Sequence, residues 1–235
     1  MTLKKSLIIF LCTLFWQSAE GQLLISDVKL ESVYQSSVRD YLSNQNTRTN
    51  RFVDIEPSLA PDEDSEGYFY QVRSYLLEDS VHQIWDHYLH TKPKEAWNSR
   101  LISFGLMYSK TSDNLYYSDD KGEDLALGQI LFLNLNLLFG WVNVAMAFEI
   151  THIDPVARVI EFSYIKGNYS EGKQRLELYE SANGHTRIEH SSYYKSSSLI
   201  RDLLLYPHFH ARIIDNFHRN LKRELRKKKD SSSVQ

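Results

Sequence analysis

The chain has 235 residues, 42% of them hydrophobic and 13% aromatic, with a formal net charge of −3 at pH 7. That apolar and aromatic load excludes a disordered chain, because it supplies enough surface to bury against the conformational entropy of folding. The charge excludes a nucleic-acid partner: the basic residues gather near the C-terminus, from Lys222 to Lys229, and leave an acidic body that phosphate would repel.

Lys4 and Lys5 are followed by an apolar run from Leu7 to Trp16 broken only by Thr13, then by the small residues Ser18, Ala19 and Gly21. This order is that of a secretory signal peptide covering residues 1–21, with cleavage leaving Gln22 as the new terminus and a secreted or periplasmic product. The run is short of the ~20 residues that cross a bilayer as a helix, so no transmembrane segment is expected in the mature chain. Cys12, the single cysteine, leaves with the signal, and no disulfide supports the remaining fold.

Residues 22–67 read as an N-terminal extension. Leu30, Val33, Tyr34, Val38, Tyr41 and Leu42 have helical spacing, and from Ser43 to Gly67 a polar stretch with Pro57 and Pro61 reads as a linker or a wrapping segment. A domain of residues 68–226 follows. It opens with a strand from Tyr68 to Leu77, and Ser80 then caps a helix whose apolar face is Val81, Ile84, Trp85, Tyr88 and Leu89. Pro93 ends or redirects that helix, and Ala96 and Trp97 begin a second short one.

After Trp97 the apolar period changes from 3.6 to 2. Strands are predicted at 102–108, 115–117, 129–138, 141–151, 156–166, 173–180 and 185–195, with Asn183-Gly184 as a hairpin signal. The run from Leu125 to Ile150 is interrupted by Gln129, Asn134, Asn136 and Asn143, which favours two strands turning near Gly140 over a membrane helix. Helical spacing returns in the stripe Tyr206, Phe209, Ile213, Phe217, Leu221 and Leu225. Residues 227–235 read as a basic, disordered tail. The expected class is α+β, with a curved antiparallel sheet closing on a long C-terminal helix.

The Val81–Leu89 helix with its Trp85, the Asn183-Gly184 hairpin and the helix from Leu199 to Arg226, in this order around the strands, resemble the helix-grip fold of the START and Bet v 1 superfamily, which includes polyketide-cyclase-like proteins. The resemblance implies a cavity between sheet and helix that takes a lipid-like or other apolar small molecule. Residues 22–67 lie outside that minimal fold and are in a position to plug or lid such a cavity.

Strand alternation turns Met146, Phe148, Phe162, Tyr164, Ile188 and His190 toward the helix, where Ile213 and Phe217 face them. With Tyr108 these form the expected ligand-binding set, in which His190 and Tyr164 supply the polar contacts. A core histidine hydrogen-bonded to a tyrosine or a backbone group is the alternative reading of His190. His82, His87, His90, His208, His210 and His218 lack metal-site spacing, and no metal or cofactor is expected. No nucleophile elbow, phosphate loop or dinucleotide fingerprint occurs. The function read from the sequence is an exported binding or carrier protein for an apolar small molecule. The alternatives are a cyclase- or hydrolase-like enzyme using the same cavity, and a structural secreted domain whose core is filled by side chains such as Tyr108 or Trp141. Asn168-Tyr169-Ser170 is a glycosylation sequon, relevant to a eukaryotic source.

Overall fold

The computed structural model describes residues 22–137, 140–196 and 206–232. The expected signal peptide, residues 1–21, lies outside the described residues. Among the described residues, eight antiparallel strands form one sheet: β1 (Phe69–Leu77), β2 (Ile102–Ser109), β3 (Asn114–Tyr117), β4 (Gln129–Leu137), β5 (Val142–Asp154), β6 (Val159–Tyr164), β7 (Ser170–Glu180) and β8 (Thr186–Ser196). Their spatial order is β1-β8-β7-β6-β5-β4-β2-β3, a meander from β4 to β8 with β1 added at one edge. The helices are α1 (Ser36–Gln45), α2 (Val81–His90), α3 (Pro93–Ala96) and α4 (Tyr206–Ser232). This is the α+β layout expected from the sequence, a curved sheet gripping the C-terminal helix.

Local chemistry accounts for the boundaries. Ser80 and Gln83 form a reciprocal capping box at the start of α2, in which the Gln83 N–H donates to Ser80 Oγ at 3.4 Å. Pro93 does more than end α2. It occupies the first turn of α3, where its missing N–H costs nothing. Between β7 and β8, Asn183 and Gly184 take φ of 66° and 74°, the left-handed conformation that a tight hairpin turn needs and that these two residue types tolerate. At its C-terminal end α4 continues through Ser232, so residues 227–232, expected to be frayed tail, are helical.

The sheet separates two cores. On one face, α2, α3 and α4 pack Ile84, Trp85, Tyr88, Trp97, Ile213, Phe217 and Leu221 against Met107, Leu131, Leu133, Phe148, Ile160, Phe162, Leu176 and Ile188. On the other face, Val33, Val38, Leu42, Phe52 and Ile55 cover Leu106, Tyr108, Ile130, Phe132, Ala145, Ala147 and Ile165. The extension beginning at residue 22 is therefore a wrapping segment on the face away from α4, and it does not lid a cavity beside that helix. Its end is strapped to β6, with the Ser58 N–H donating to Tyr164 O at 2.6 Å and the Leu59 N–H to Ser163 Oγ at 3.1 Å.

Two irregularities shift the alternation. The register slips between Phe104 and Leu106 in β2 and between Ile150 and His152 in β5. Gly105 sits at the first slip, where a Cβ would lie 3.1 Å from both Phe132 O and Val38 Cγ2, so its lack of a side chain admits α1 onto the sheet. Because of this bulge Phe104 and Tyr108, four residues apart, face opposite sides.

Candidate functional site

A cavity of about 310 Å³ lies between the sheet and the first turns of α4. The ends of β4 and β5 contribute Leu135, Leu137, Val144, Ala145 and Met146, and α4 contributes Phe209, His210, Ile213 and Ile214. From β6, the following turn and β7 come Tyr164, Asn168, Tyr169, Ser170 and Gln174. Its floor is aromatic. Trp97 and Phe148 face the cavity on one side and, on the other, a second void of about 40 Å³ shared with Phe162 and Phe217. Trp97 stacks on Phe217 at 4.4 Å, and Phe148 meets Phe162 at 4.7 Å, so the floor is a continuous packed layer.

Four of the nine residues expected from the sequence line this cavity: Met146, Phe148, Tyr164 and Ile213. Phe162 and Phe217 lie beneath it in the aromatic layer. Ile188 belongs to the same core but not to the cavity wall. Tyr108 is a correction: it sits on the opposite face, stacked on Phe52 at 4.7 Å, because the bulge at Gly105 reverses the alternation before it is reached. Trp141, a suggested filler of the core, is 89% exposed.

His190 does not reach the wall either. It is fully buried and acts from behind through Gln174. Gln174 Nε2 donates to Tyr164 Oη at 3.1 Å, so its carbonyl oxygen accepts from His190 Nε2–H at 2.8 Å. His190 Nδ1, left as an acceptor, accepts a hydrogen bond from His218 Nε2–H at 2.9 Å, and His218 Nδ1 accepts one from Tyr88 Oη–H at 2.7 Å. One directed chain thus runs from α2 through α4 and the sheet to the cavity. It requires both imidazoles neutral, and burial enforces that: His218 is pushed down to about 3, and His190 well below the usual histidine range. His210, on the cavity wall, is likewise pushed down to about 3 by burial.

The remaining histidines serve the fold or the surface. His87 Nε2 donates to Leu221 O at 2.7 Å and ties α2 to α4, whereas His90 bonds Asp86 O within its own helix. Asn168, the sequon residue, is engaged: its amide N–H donates to Ala147 O at 2.5 Å and its carbonyl oxygen accepts from Tyr41 Oη at 2.7 Å. Among the described residues no three His, Cys, Asp or Glu side chains are grouped to hold a metal ion, and no helix is long and apolar enough to cross a membrane.

Sequence reasoning missed Gln174 and His210. Gln174 shares a strand face with Leu176 and Leu178, so a polar residue on an apolar face was the available signal.

No family model and no curated protein matches the sequence. Solved structures do. Norcoclaurine synthase from Thalictrum flavum, in complex with dopamine and hydroxybenzaldehyde, aligns over 69% of this chain and 90% of its own at 11% identity, with a TM-score of 0.50. The KanY protein aligns over 68% and 99% at 10% identity, also with a TM-score of 0.50. The chain has the helix-grip fold of the START and Bet v 1 superfamily. A START superfamily protein from Mycobacterium smegmatis aligns over 67% of this chain and 97% of its own at 8% identity, with a TM-score of 0.48.

Proposed function

We propose that this helix-grip protein is exported and binds an apolar small molecule in the cavity between its sheet and α4. The observation that carries the reading is the cavity itself, about 310 Å³ of space walled by Leu135, Leu137, Val144, Met146, Phe209 and Ile213. Protein interiors are close-packed, and leaving such a volume open forfeits dispersion contacts that a larger side chain would supply. The volume is at the lower end of ordinary ligand pockets, and the lining has their usual character, mainly apolar with a few placed polar groups. Support also comes from norcoclaurine synthase, whose structure of this fold holds two small aromatic molecules.

Carriage fits the lining better than catalysis. Among the described residues, the titratable groups on the wall are Tyr164, Tyr169 and His210. With its conjugate acid at about 3, His210 is a weak base at neutral pH, far from the value that general acid–base work favours. A filled structural core fits less well, since Tyr108 and Trp141 both lie elsewhere.

The test is native mass spectrometry of the purified protein with an organic extract of it, followed by titration with Nile red. A co-purifying small molecule, or saturable dye binding at one site, is the expected result. An empty spectrum together with no saturable binding of Nile red or of any other apolar probe would refute the reading.

A further inference from the structure

The β4–β5 hairpin projects from the sheet beside the cavity. Leu137 and Val142 pair at its last rung, and Leu137 and Val144 line the cavity wall. Val142 shares the strand face of Val144 and Met146, so it carries their apolar stripe past the wall into the open. Trp141, immediately before it, is the most exposed of the large hydrophobic residues described. Tyr169, in the turn between β6 and β7, lines the cavity and is also 66% exposed, which marks it as part of the mouth. Single exposed apolar side chains are ordinary, but two aromatics and a valine around the opening of one apolar cavity form a patch that water solvates poorly.

Cations stand beside this patch on three elements. Arg100 adjoins the hairpin, its backbone oxygen accepting from Asn136 Nδ2 at 3.3 Å, and Asn136 pairs with Asn143. Arg48 Nη1 donates to Gly167 O at 3.1 Å in the turn that bears Tyr169, and Arg212 on α4 is next to the wall residue Ile213. All three arginines are exposed, and none has an acidic partner among the described residues. We infer that this rim docks on an anionic lipid surface, with Trp141 and Val142 entering the interface and the arginines meeting headgroup phosphates. An indole suits that depth, its ring apolar and its N–H wet. Guanidinium groups pair with phosphate oxygens bidentately, and each cation close to an anionic surface adds attraction. A second copy of the chain suits the rim less well, since a two-fold contact sets the same cationic patch against itself. Resting on the cavity reading above, the docked rim holds the mouth against the bilayer, so an apolar ligand passes between lipid and cavity without crossing water.

Co-sedimentation of the purified protein with vesicles tests the docking, using phosphatidylcholine alone and phosphatidylcholine mixed with phosphatidylglycerol. Binding to the mixed vesicles is expected to be at least about tenfold tighter than to the neutral ones and to weaken with salt. Trp141→Ser is expected to lose at least about tenfold in vesicle affinity at an unchanged melting temperature, because the side chain is solvent-exposed. The double variant Arg100→Gln, Arg212→Gln is expected to lose the preference for the anionic vesicles. A parent that binds neither vesicle, or a Trp141→Ser variant that binds as the parent does, would overturn the inference. So would a dimer in native mass spectrometry that Trp141→Ser dissociates, because a second copy would then cover the rim. Nile red titration without vesicles keeps the cavity reading separate. Vesicle binding that depends on Trp141, in a protein that takes up no dye, would support the docking and remove the cavity reading.

Discussion

His190 Nδ1 on β8 and His218 Nε2 on α4 lie 2.9 Å apart with both rings buried, so a hydrogen bond between two neutral imidazoles joins the sheet to the C-terminal helix. The contact is more than a core histidine satisfied by a tyrosine, because His218 passes the bond on to Tyr88 and His190 passes it on to Gln174 at the cavity. Around it, Tyr75 lies over the His218 ring at 4.0 Å and donates to Asp215 at 2.7 Å, and Asp215 also pairs with Arg73. The grip on α4 is therefore polar as well as apolar at this point.

Stability is expected to fall with acid, beginning near pH 6.5. The unfolded chain protonates its histidines around 6.5, whereas His210 and His218 are held to about 3 in the folded state and His190 is shifted in the same direction. Below pH ~6.5 the unfolded state therefore binds protons that the folded state refuses, and stability is lost as pH falls toward 3. By pH 5 the loss is about 2 kcal/mol for each of His210 and His218, with His190 adding to it. Asp215 works weakly in the opposite direction on His218. Urea unfolding at pH 7.5, 6.5, 5.5 and 5.0 measures this, and a flat profile over that range would contradict neutral, buried rings.

Phe217→Asp is expected to destabilise the whole domain by at least about 3 kcal/mol, since it removes a large aromatic and leaves a charge in its place. Phe217 is 9% exposed, stacks on Trp97 and meets Tyr88 edge-on at 6.2 Å. Thermal melting reads the effect. A variant that melts with the parent would mean that α4 is not packed as described.

Gly172→Ala tests the β7–β8 pairing. Gly172 has φ of 127°, and a Cβ there would lie 2.0 Å from Tyr193 O on the neighbouring strand. Backbone on both sides prevents relief, so a loss on the order of 2–4 kcal/mol is expected by urea unfolding. A variant as stable as the parent would show that β7 carries a different register.

Much of this arrangement was legible in the sequence because period-2 alternation is uninterrupted in the relevant part of β5, in β6 and in β8. It correctly turned Met146, Phe148, Phe162, Ile188 and His190 to the helix side. Tyr108 was misplaced because a one-residue bulge reverses faces, and nothing in the composition around Gly105 distinguishes a bulge from an ordinary strand glycine. The split between wall and floor was not legible either. Alternation assigns a face, but whether a side chain borders open space or packs under it depends on strand length and on where α4 begins. Hence Phe162 and Phe217 lie below the cavity, and His210, one turn into the helix, lies on it. The placement of residues 22–59 turned on which face of the sheet was left uncovered, a property of the assembled fold rather than of the segment.

Export is expected to remove residues 1–21. The basic, apolar and small-residue order motivates it, and Leu23 is already anchored to the domain, its N–H donating to the Asp113 carboxylate at 3.2 Å. Intact mass of protein recovered outside the cytoplasm is expected to correspond to a chain beginning at Gln22. A mass that still includes Met1 to Gly21 would contradict this processing.

The last prediction separates occupancy of the cavity from integrity of the fold. A filling substitution must add volume where space exists. Phe162→Trp would instead overpack the aromatic floor, where Phe162 already meets Phe148 and Trp97 edge-on at 6.4 Å, and extra volume in a packed core typically costs 1–3 kcal/mol. Val144 is the better position. It lies on β5 opposite Leu135, half-buried, with its side chain on the cavity wall and outside the floor. Val144→Trp adds an indole to the open volume, where it gains contacts that the valine lacks. The expected outcome is at least about a tenfold loss of Nile red and 1-decanol binding at an unchanged or raised melting temperature. Retained affinity at an unchanged melting temperature would place the ligand elsewhere on the molecule, whereas a lowered melting temperature would mean that the space beside Val144 is already filled.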